Sequence, residues 1–131
     1  MRRHALLAAV LLLALAPAAG ASPQRGFAFG RLGGNIRPYT VSIASDGKVS
    51  VSGAATAGRM KLTAPQLASL DRAVTDARFG SLPAMTNCPG TLPDIAATFI
   101  RFGTKTVRVH GNCVVRYAKL FAALSHAVKL S

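Results

Sequence analysis

Residues 39–53 read YTVSIASDGKVSVSG and carry the strongest structural signal in the chain. Apolar residues alternate with Thr, Ser and Lys on both sides of a Ser-Asp-Gly segment, which predicts an antiparallel hairpin. A two-residue Asp46-Gly47 turn would place the apolar residues of the two strands on opposite faces. A three-residue turn, with Gly47 left-handed in a bulge, pairs Ile43 with Val49 and gathers the apolar residues on one face. We therefore expect the three-residue turn.

A capped helix follows this hairpin. Thr63 and Gln66 fit a capping box, in which each side chain accepts a hydrogen bond from the backbone N–H of the other residue. Apolar residues then recur at helical spacing, and Gly80 is a suitable C-terminal cap. We expect a helix that begins after Thr63 and ends between residues 78 and 80. Residues 56–62 are an optional third strand.

The rest of the chain repeats the order of hairpin and helix. Residues 81–94 contain three prolines, which predict a long loop. Over residues 95–110, a two-residue turn pairs Ile100 with Val107 and directs both toward the core. A helix is predicted over residues 114–130, because an apolar stripe recurs there at spacings of three and four. The stripe consists of Val114, Tyr117, Phe121, Leu124 and Val128.

The N-terminal part has a different character. Residues 1–21 combine basic Arg2 and Arg3, an apolar run and a small-residue cleavage site, so we predict a secretory signal peptide. The run is too short to span a bilayer comfortably, and no transmembrane segment is expected after its removal.

Residues 22–35 are expected to be a flexible lead-in or an edge strand. Residues 36–131 are expected to form a single α+β domain, an antiparallel sheet of two hairpins in the order ββ(β)-α-ββ-α with both helices on one face.

This order of elements resembles a family of small bacterial exported or envelope domains of unknown function. The resemblance rests on the strand at 39–43 with its Asp-Gly turn, the Phe-x-x-Leu-Pro segment at 79–83 and the Lys-Thr-Val strand at 105–107. It covers residues 34–130. Members often have a Cys-containing stretch before the Tyr, whereas residues 34–38 contain no Cys, so a role of those cysteines does not transfer. The resemblance implies an exported, single-domain, non-enzymatic module, and it transfers no catalytic residues.

The chain is strongly basic, with 16 Lys and Arg against 4 Asp and Glu and a formal charge of +12. Removing Arg2 and Arg3 with the signal peptide lowers it by two, to +10. Such a charge favours anionic partners, namely an acidic polymer, an anionic membrane surface or nucleic acid, although the cations are spread along the chain as on an ordinary solvated surface. The candidate anion surface is Phe99, Arg101 and Arg108, on the outer face of the second hairpin. Phe99 there either binds a ligand beside the guanidinium groups or is covered by another element.

Cys88 and Cys113 are the only cysteines, and in an exported chain an even count predicts a disulfide. The alternative is a partial zinc set with His110, for which a fourth ligand is missing. A disulfide would hold the adjacent loop in place and make it a candidate partner-binding element. The candidate residues are Met85, Gly90, Thr91, Leu92, Pro93 and Asp94.

The sequence contains no recognisable catalytic pattern. The four carboxylates do not suggest a paired acid/base site, and the sequence contains no nucleophile elbow, P-loop or dinucleotide fingerprint. We therefore expect no catalytic activity, no cofactor and no metal. The sequence predicts a secreted, periplasmic or cell-envelope binding module whose partner is an envelope or extracellular protein. A secreted enzyme inhibitor falls in the same class, and the alternative is a basic anion-binding protein.

Overall fold

The computed structural model describes residues 26–131, so the predicted signal peptide lies outside the described part. The fold is α+β, as predicted, with an open six-stranded sheet in the order β3-β2-β1-β5-β6-β4. The strands are β1 (Phe27–Leu32), β2 (Tyr39–Ile43), β3 (Val49–Gly53), β4 (Met85–Asn87), β5 (Ala97–Phe102) and β6 (Lys105–His110). The helices are α1 (Ala64–Asp76) and α2 (Val115–Val128), and a short 3₁₀ turn spans Phe79–Ser81.

The first hairpin has the predicted register. Ile43 pairs with Val49, and both side chains are buried. Gly47 has a φ of +91°, the left-handed conformation that the three-residue turn requires. The Asp46 carboxylate accepts a hydrogen bond of 3.0 Å from the backbone N–H of Lys48, and this bond holds the pKa of that carboxyl below its usual value. Turn chemistry and apolar alternation therefore agree on one register.

The second hairpin also has the predicted register. Ile100 pairs with Val107, and Thr98 pairs with Val109. Ile100, Val107 and Val109 are almost fully buried, whereas Arg101 on the alternate face is exposed. The two faces of this hairpin therefore differ as the alternation of the sequence predicts.

The segment at 22–35 was expected to be a flexible lead-in or an edge strand, and the structure corrects this. Its residues 27–32 form β1, which pairs with β2 on one side and with β5 on the other. Phe27 and Phe29 point into the core, while Ala28 and Gly30 lie between the neighbouring strands on the outer face. The sheet is therefore continuous because β1 joins the two hairpins.

Helix α1 begins at the predicted cap. The Gln66 backbone N–H donates to Thr63 Oγ1 (3.3 Å), and the Thr63 backbone N–H donates to Gln66 Oε1 (2.8 Å). The C-terminal cap was predicted wrongly, because Ala77 caps the helix and Gly80 lies in the following 3₁₀ turn. Residues 56–62 form isolated bridges and no strand, so the optional third strand is absent there.

Helix α2 closes the core over β1 and β5. Phe121 meets the ring of Phe29 edge-on, at 5.5 Å between centroids. The Tyr117 hydroxyl donates a hydrogen bond of 2.9 Å to Thr98 Oγ1. Leu120 is as deeply buried as Leu124 although it lies beside the predicted stripe. The buried face of α2 is therefore wider than a single stripe, as a helix on a sheet requires.

Part of the predicted loop at 81–94 is a strand. Strand β4 runs parallel to β6 at the edge of the sheet. The Arg108 backbone N–H donates to the Ala84 carbonyl (2.9 Å), and the Cys88 backbone N–H donates to the His110 carbonyl (2.8 Å). The loop proper therefore begins after Asn87, at the sheet edge.

Candidate functional site

The predicted disulfide is present and anchors the first candidate element. Cys88 and Cys113 are bonded, with their Cα atoms 5.6 Å apart, and no free cysteine occurs in the described chain. The bond joins the end of β4 to the turn that precedes α2. Because both thiols are used, the zinc alternative loses its cysteine ligands. No group of three or more metal-binding side chains occurs within residues 26–131.

Two further sets of hydrogen bonds, from Asn35 and from His110, hold the segment 88–96, which we call the clamped loop. The Asn35 side-chain amide donates to Asp94 Oδ2 (3.0 Å), and its backbone N–H donates to the Asp94 carbonyl (3.1 Å). His110 Nε2 lies 2.7 Å from the Ile95 carbonyl oxygen. The clamped loop is therefore attached to β6, to the turn that precedes α2 and to the β1–β2 connection.

The clamped loop and the strand before it expose large apolar side chains. The exposed fractions of Met85, Leu92 and Ile95 are 58%, 63% and 49%. Met85 lies on β4 beside Arg108 of β6, outside the loop proper. Ile95 was not among the predicted residues, and its carbonyl oxygen is the one that lies against His110. Asp94 is a structural member of the loop, because its carboxylate is engaged by Asn35.

The candidate anion surface lies on the face of the sheet opposite the helices. Phe99 is directly opposite Arg108, and Arg101 is opposite Thr106. The two arginines are therefore diagonal neighbours, with side chains about 7–8 Å apart at their bases. Both are exposed, and Phe99 is half-buried between Arg108 and Gly30 of β1. Neither guanidinium makes an ion pair or hydrogen bond with another described residue.

No carboxylate neutralises this surface. Asp46 lies in the first hairpin turn, Asp71 and Asp76 lie on or at the end of α1, and Asp94 lies in the clamped loop. The one ion pair among residues 26–131 joins Lys61 to Asp46 at 3.9 Å, and both side chains are exposed. Like charges on adjacent strands repel each other, so a bound anion would relieve that repulsion.

A third cluster of candidate binding residues, around Arg31 and Tyr39, was not predicted from the sequence. Arg31 at the end of β1 pairs with Tyr39 at the start of β2, and its guanidinium carbon lies 5.9 Å from the centre of the Tyr39 ring. Arg37 and Ile36 of the β1–β2 connection line the same cleft. The signal that was available is the alternation of Phe27, Phe29 and Arg31, which places this arginine on the helix-covered face.

No helix in the described part of the chain is long and apolar enough to cross a bilayer. Comparison of the chain with protein-family models, with curated proteins and with solved structures found no match.

Proposed function

We propose that this protein is an exported, non-catalytic binding module that captures a protein partner through the clamped loop. One observation carries the proposal. Leu92 and Ile95 expose 63% and 49% of their area on a loop that a disulfide and two sets of hydrogen bonds hold in place, and Met85 on the preceding strand exposes 58%. Exposed apolar side chains that are gathered in one region are typical of interaction surfaces.

The attachment of the loop favours tight binding. A flexible loop loses conformational freedom when it binds, and each immobilised side chain reduces affinity. The disulfide and the bonds to Asn35 and His110 restrict that freedom before the partner arrives. A rigid apolar loop is also what a secreted enzyme inhibitor needs, so inhibition is one form that the proposed activity can take.

The charges around the loop favour an acidic partner. Arg108 lies beside Met85, while Asp94, the only carboxylate of the loop, is engaged by Asn35. The chain as a whole carries a formal charge of +12. We therefore infer a protein partner with an apolar pocket surrounded by Asp and Glu, since complementary charges speed association and select the partner. Export is supported by the predicted signal peptide and by the disulfide, which persists in oxidising compartments.

The test compares two double variants of the oxidised protein as bait in envelope and culture-fluid extracts. Leu92→Ser with Ile95→Ser removes the apolar contacts of the loop. Met60→Ser with Ile36→Ser is the control, because both residues are about as exposed (57% and 50%) and lie outside the clamped loop. We expect one acidic protein to be retained at about 0.5 M NaCl, where surface charge interactions are screened, by the wild type and the control.

The captured protein is then purified and its affinity is measured directly. We expect the loop variant to bind at least about tenfold more weakly, the loss of roughly 1.4 kcal/mol or more that a removed apolar anchor causes. Its melting temperature should equal that of the control. Equal binding by both variants, or retention that disappears at high salt, contradicts the proposal.

The unneutralised pair of Arg101 and Arg108 supports a second candidate function, binding of an anionic polymer. Polyphosphate is the probe, titrated at low and at about 0.3 M NaCl, because such binding weakens steeply with salt. Arg101→Gln with Arg108→Gln should reduce affinity more than the charge-matched control Arg72→Gln with Lys119→Gln on the helices. An equal loss in both variants would show that only net charge matters, and this candidate would then be rejected.

A further inference from the structure

An open cleft of about 490 Å³ lies beside the start of β2, away from both surfaces described above. Five larger side chains, two alanines and Ser131 form its walls. The larger side chains are Arg31, Ile36, Arg37, Tyr39 and Leu130. The volume falls within the range of small-molecule sites.

One wall of the cleft is rich in hydrogen-bond donors. Neither Arg31 nor Arg37 makes an ion pair or a hydrogen bond with another described residue. Tyr39 has only 8% of its area exposed, and its hydroxyl bonds to no described residue yet is not sealed from solvent. Burial raises the pKa of Tyr39 and Arg31 lowers it in part, so this phenol remains a donor at neutral pH. No Asp or Glu side chain lines the cleft, and the Ser131 carbonyl, which also borders it, accepts a hydrogen bond from the Thr56 backbone N–H (2.9 Å).

The other wall is aliphatic. Ile36 exposes 50% of its area, and it faces the same space as Leu130 and the methyl groups of Ala54 and Ala55. Among the described residues that line the cleft, Tyr39 has the only aromatic ring, and it lies against the Arg31 guanidinium. A ligand would therefore meet flexible aliphatic side chains and no free ring on which to stack. This favours an alkyl chain over a nucleobase or another planar group.

We propose that this cleft binds an amphipathic anion, a carboxylate or phosphate monoester carried on a short alkyl chain. Guanidinium groups bind both head groups through paired N–H donors, and the Tyr39 hydroxyl adds a third donor. The alkyl chain lies along Ile36 and Leu130. The proposal is independent of partner capture, because the clamped loop contributes no residue to the cleft.

The experiment follows the methyl NMR signals of the full oxidised protein at about 0.15 M NaCl, an ionic strength that screens loose surface charge. Octanoate, octyl phosphate, octanol and acetate are titrated separately, below the concentrations at which they form micelles. We expect saturable shifts of the Ile36 and Leu130 signals with at least one of the two octyl anions. Comparing these two shows whether a carboxylate or a phosphate is the preferred head group. Octanol and acetate should bind at least about tenfold more weakly, because each lacks one of the two required parts.

Variants test the donor wall. Arg31→Gln with Arg37→Gln should weaken binding of the preferred anion at least about tenfold, as expected for the loss of charge-assisted hydrogen bonds. Arg72→Gln with Lys119→Gln is the charge-matched control and should bind like the wild type. Because Arg31 also packs on Tyr39, Arg37→Gln alone serves if the double variant does not fold. Octanol binding equal to octanoate, unaltered binding by the arginine variants, or shifts that leave Ile36 and Leu130 unmoved would each overturn the proposal.

Discussion

The two hairpins of this protein bury similar faces and expose different ones. Toward the helices, both present branched aliphatic pairs, Ile43 with Val49 in the first and Ile100 with Val107 in the second. Toward the outside, the first hairpin presents only hydroxyl side chains, whereas the second presents an aromatic ring and two guanidinium groups. The outer residues of the first are Thr40, Ser42, Ser50 and Ser52, and those of the second are Phe99, Arg101, Thr106 and Arg108.

The inner faces of the two hairpins contribute to stability, and the outer faces, where the hairpins differ, are available for recognition. A sheet face under helices must be apolar and closely packed, so the inner faces of the hairpins converge on the same residue types. An outer face has no such requirement, and hydroxyl side chains are sufficient there. Phe99 and the two arginines go beyond that requirement, because they lie next to one another without a carboxylate partner. This contrast is the reason why we propose recognition roles for the second hairpin and the adjoining clamped loop.

The largest effect is expected when the two faces of β5 are compared directly. Ile100→Ala removes a fully buried side chain and should lower the free energy of unfolding by about 2–5 kcal/mol. Phe99→Ala removes a larger but half-buried side chain on the outer face and should cost less than half as much. Urea denaturation of both variants measures the difference. Equal costs would mean that the outer face is as structural as the inner one.

The next largest effect on stability is expected at the turn of the first hairpin. Gly47 has a φ of +91°, and an added Cβ would press against the Leu62 carbonyl, so Gly47→Ala should destabilise by about 1–3 kcal/mol. Gly80→Ala is the matched control, because nothing lies within 4 Å of the added Cβ and its φ is not positive. Thermal melting of the two variants provides the comparison. A control that melts as low as Gly47→Ala would refute the conformational explanation.

The hydrogen bond between Tyr117 and Thr98 joins α2 to the second hairpin. The contribution of Tyr117 to the stability of the fold should depend on pH. Burial raises the pKa of Tyr117 from 10.0 to about 12. Because the folded protein retains this proton more strongly, the contribution to stability is complete below pH 10 and is lost as the pH rises toward 12.

Tyr117→Phe should therefore cost about 1 kcal/mol at neutral pH through the lost hydrogen bond, and its stability should fall less between pH 10 and 12. Denaturation curves at pH 9 and 11 for both proteins measure the difference. Parallel losses of stability in the wild type and the variant would count against the assigned pKa.

The smallest effect concerns the outer face of the second hairpin. Arg101→Gln with Arg108→Gln should change the free energy of unfolding by less than about 0.5 kcal/mol, since both side chains are exposed and unpaired. At low salt the variant should be slightly more stable than the wild type, because a repulsion between neighbouring strands is removed. Melting temperatures at two salt concentrations test this. A clear destabilisation would assign these arginines to the fold.

Local signals predicted a large part of this fold. The Ser-Asp-Gly turn and the alternation around it gave the correct register of the first hairpin, and the capping box gave the correct start of α1. The end of α1 was predicted wrongly, because Arg78 adopts the left-handed conformation (φ +48°) that a glycine at this site usually supplies. A tertiary contact at the next residue, the buried Phe79 ring edge-on to Phe102 at 6.4 Å, accompanies that turn.

The candidate sites also contain some features that local sequence predicts and others that it does not. The disulfide and the exposed Leu92 follow from cysteine count and loop composition. The exposure of Ile95 and the cleft of Arg31 and Tyr39 do not, because each depends on how distant segments meet. Arg31 was assigned to a flexible lead-in or an edge strand, and its position beside Tyr39 required knowing that residues 27–32 pair with β2.

What local sequence settles in this protein is therefore the register inside each hairpin, the start of α1 and the pairing of its two cysteines. These features depend on alternation, turn residues and caps that lie within a few positions of one another, or on a cysteine count that leaves one pairing. Only the tertiary structure settles the place of β1. Residues 27–32 pair with residues 97–102, about 70 positions away, and no local pattern specifies a contact at that distance. Each hairpin alone leaves an unpaired edge, and inserting β1 satisfies both edges at once while burying Phe27 and Phe29 in the common core.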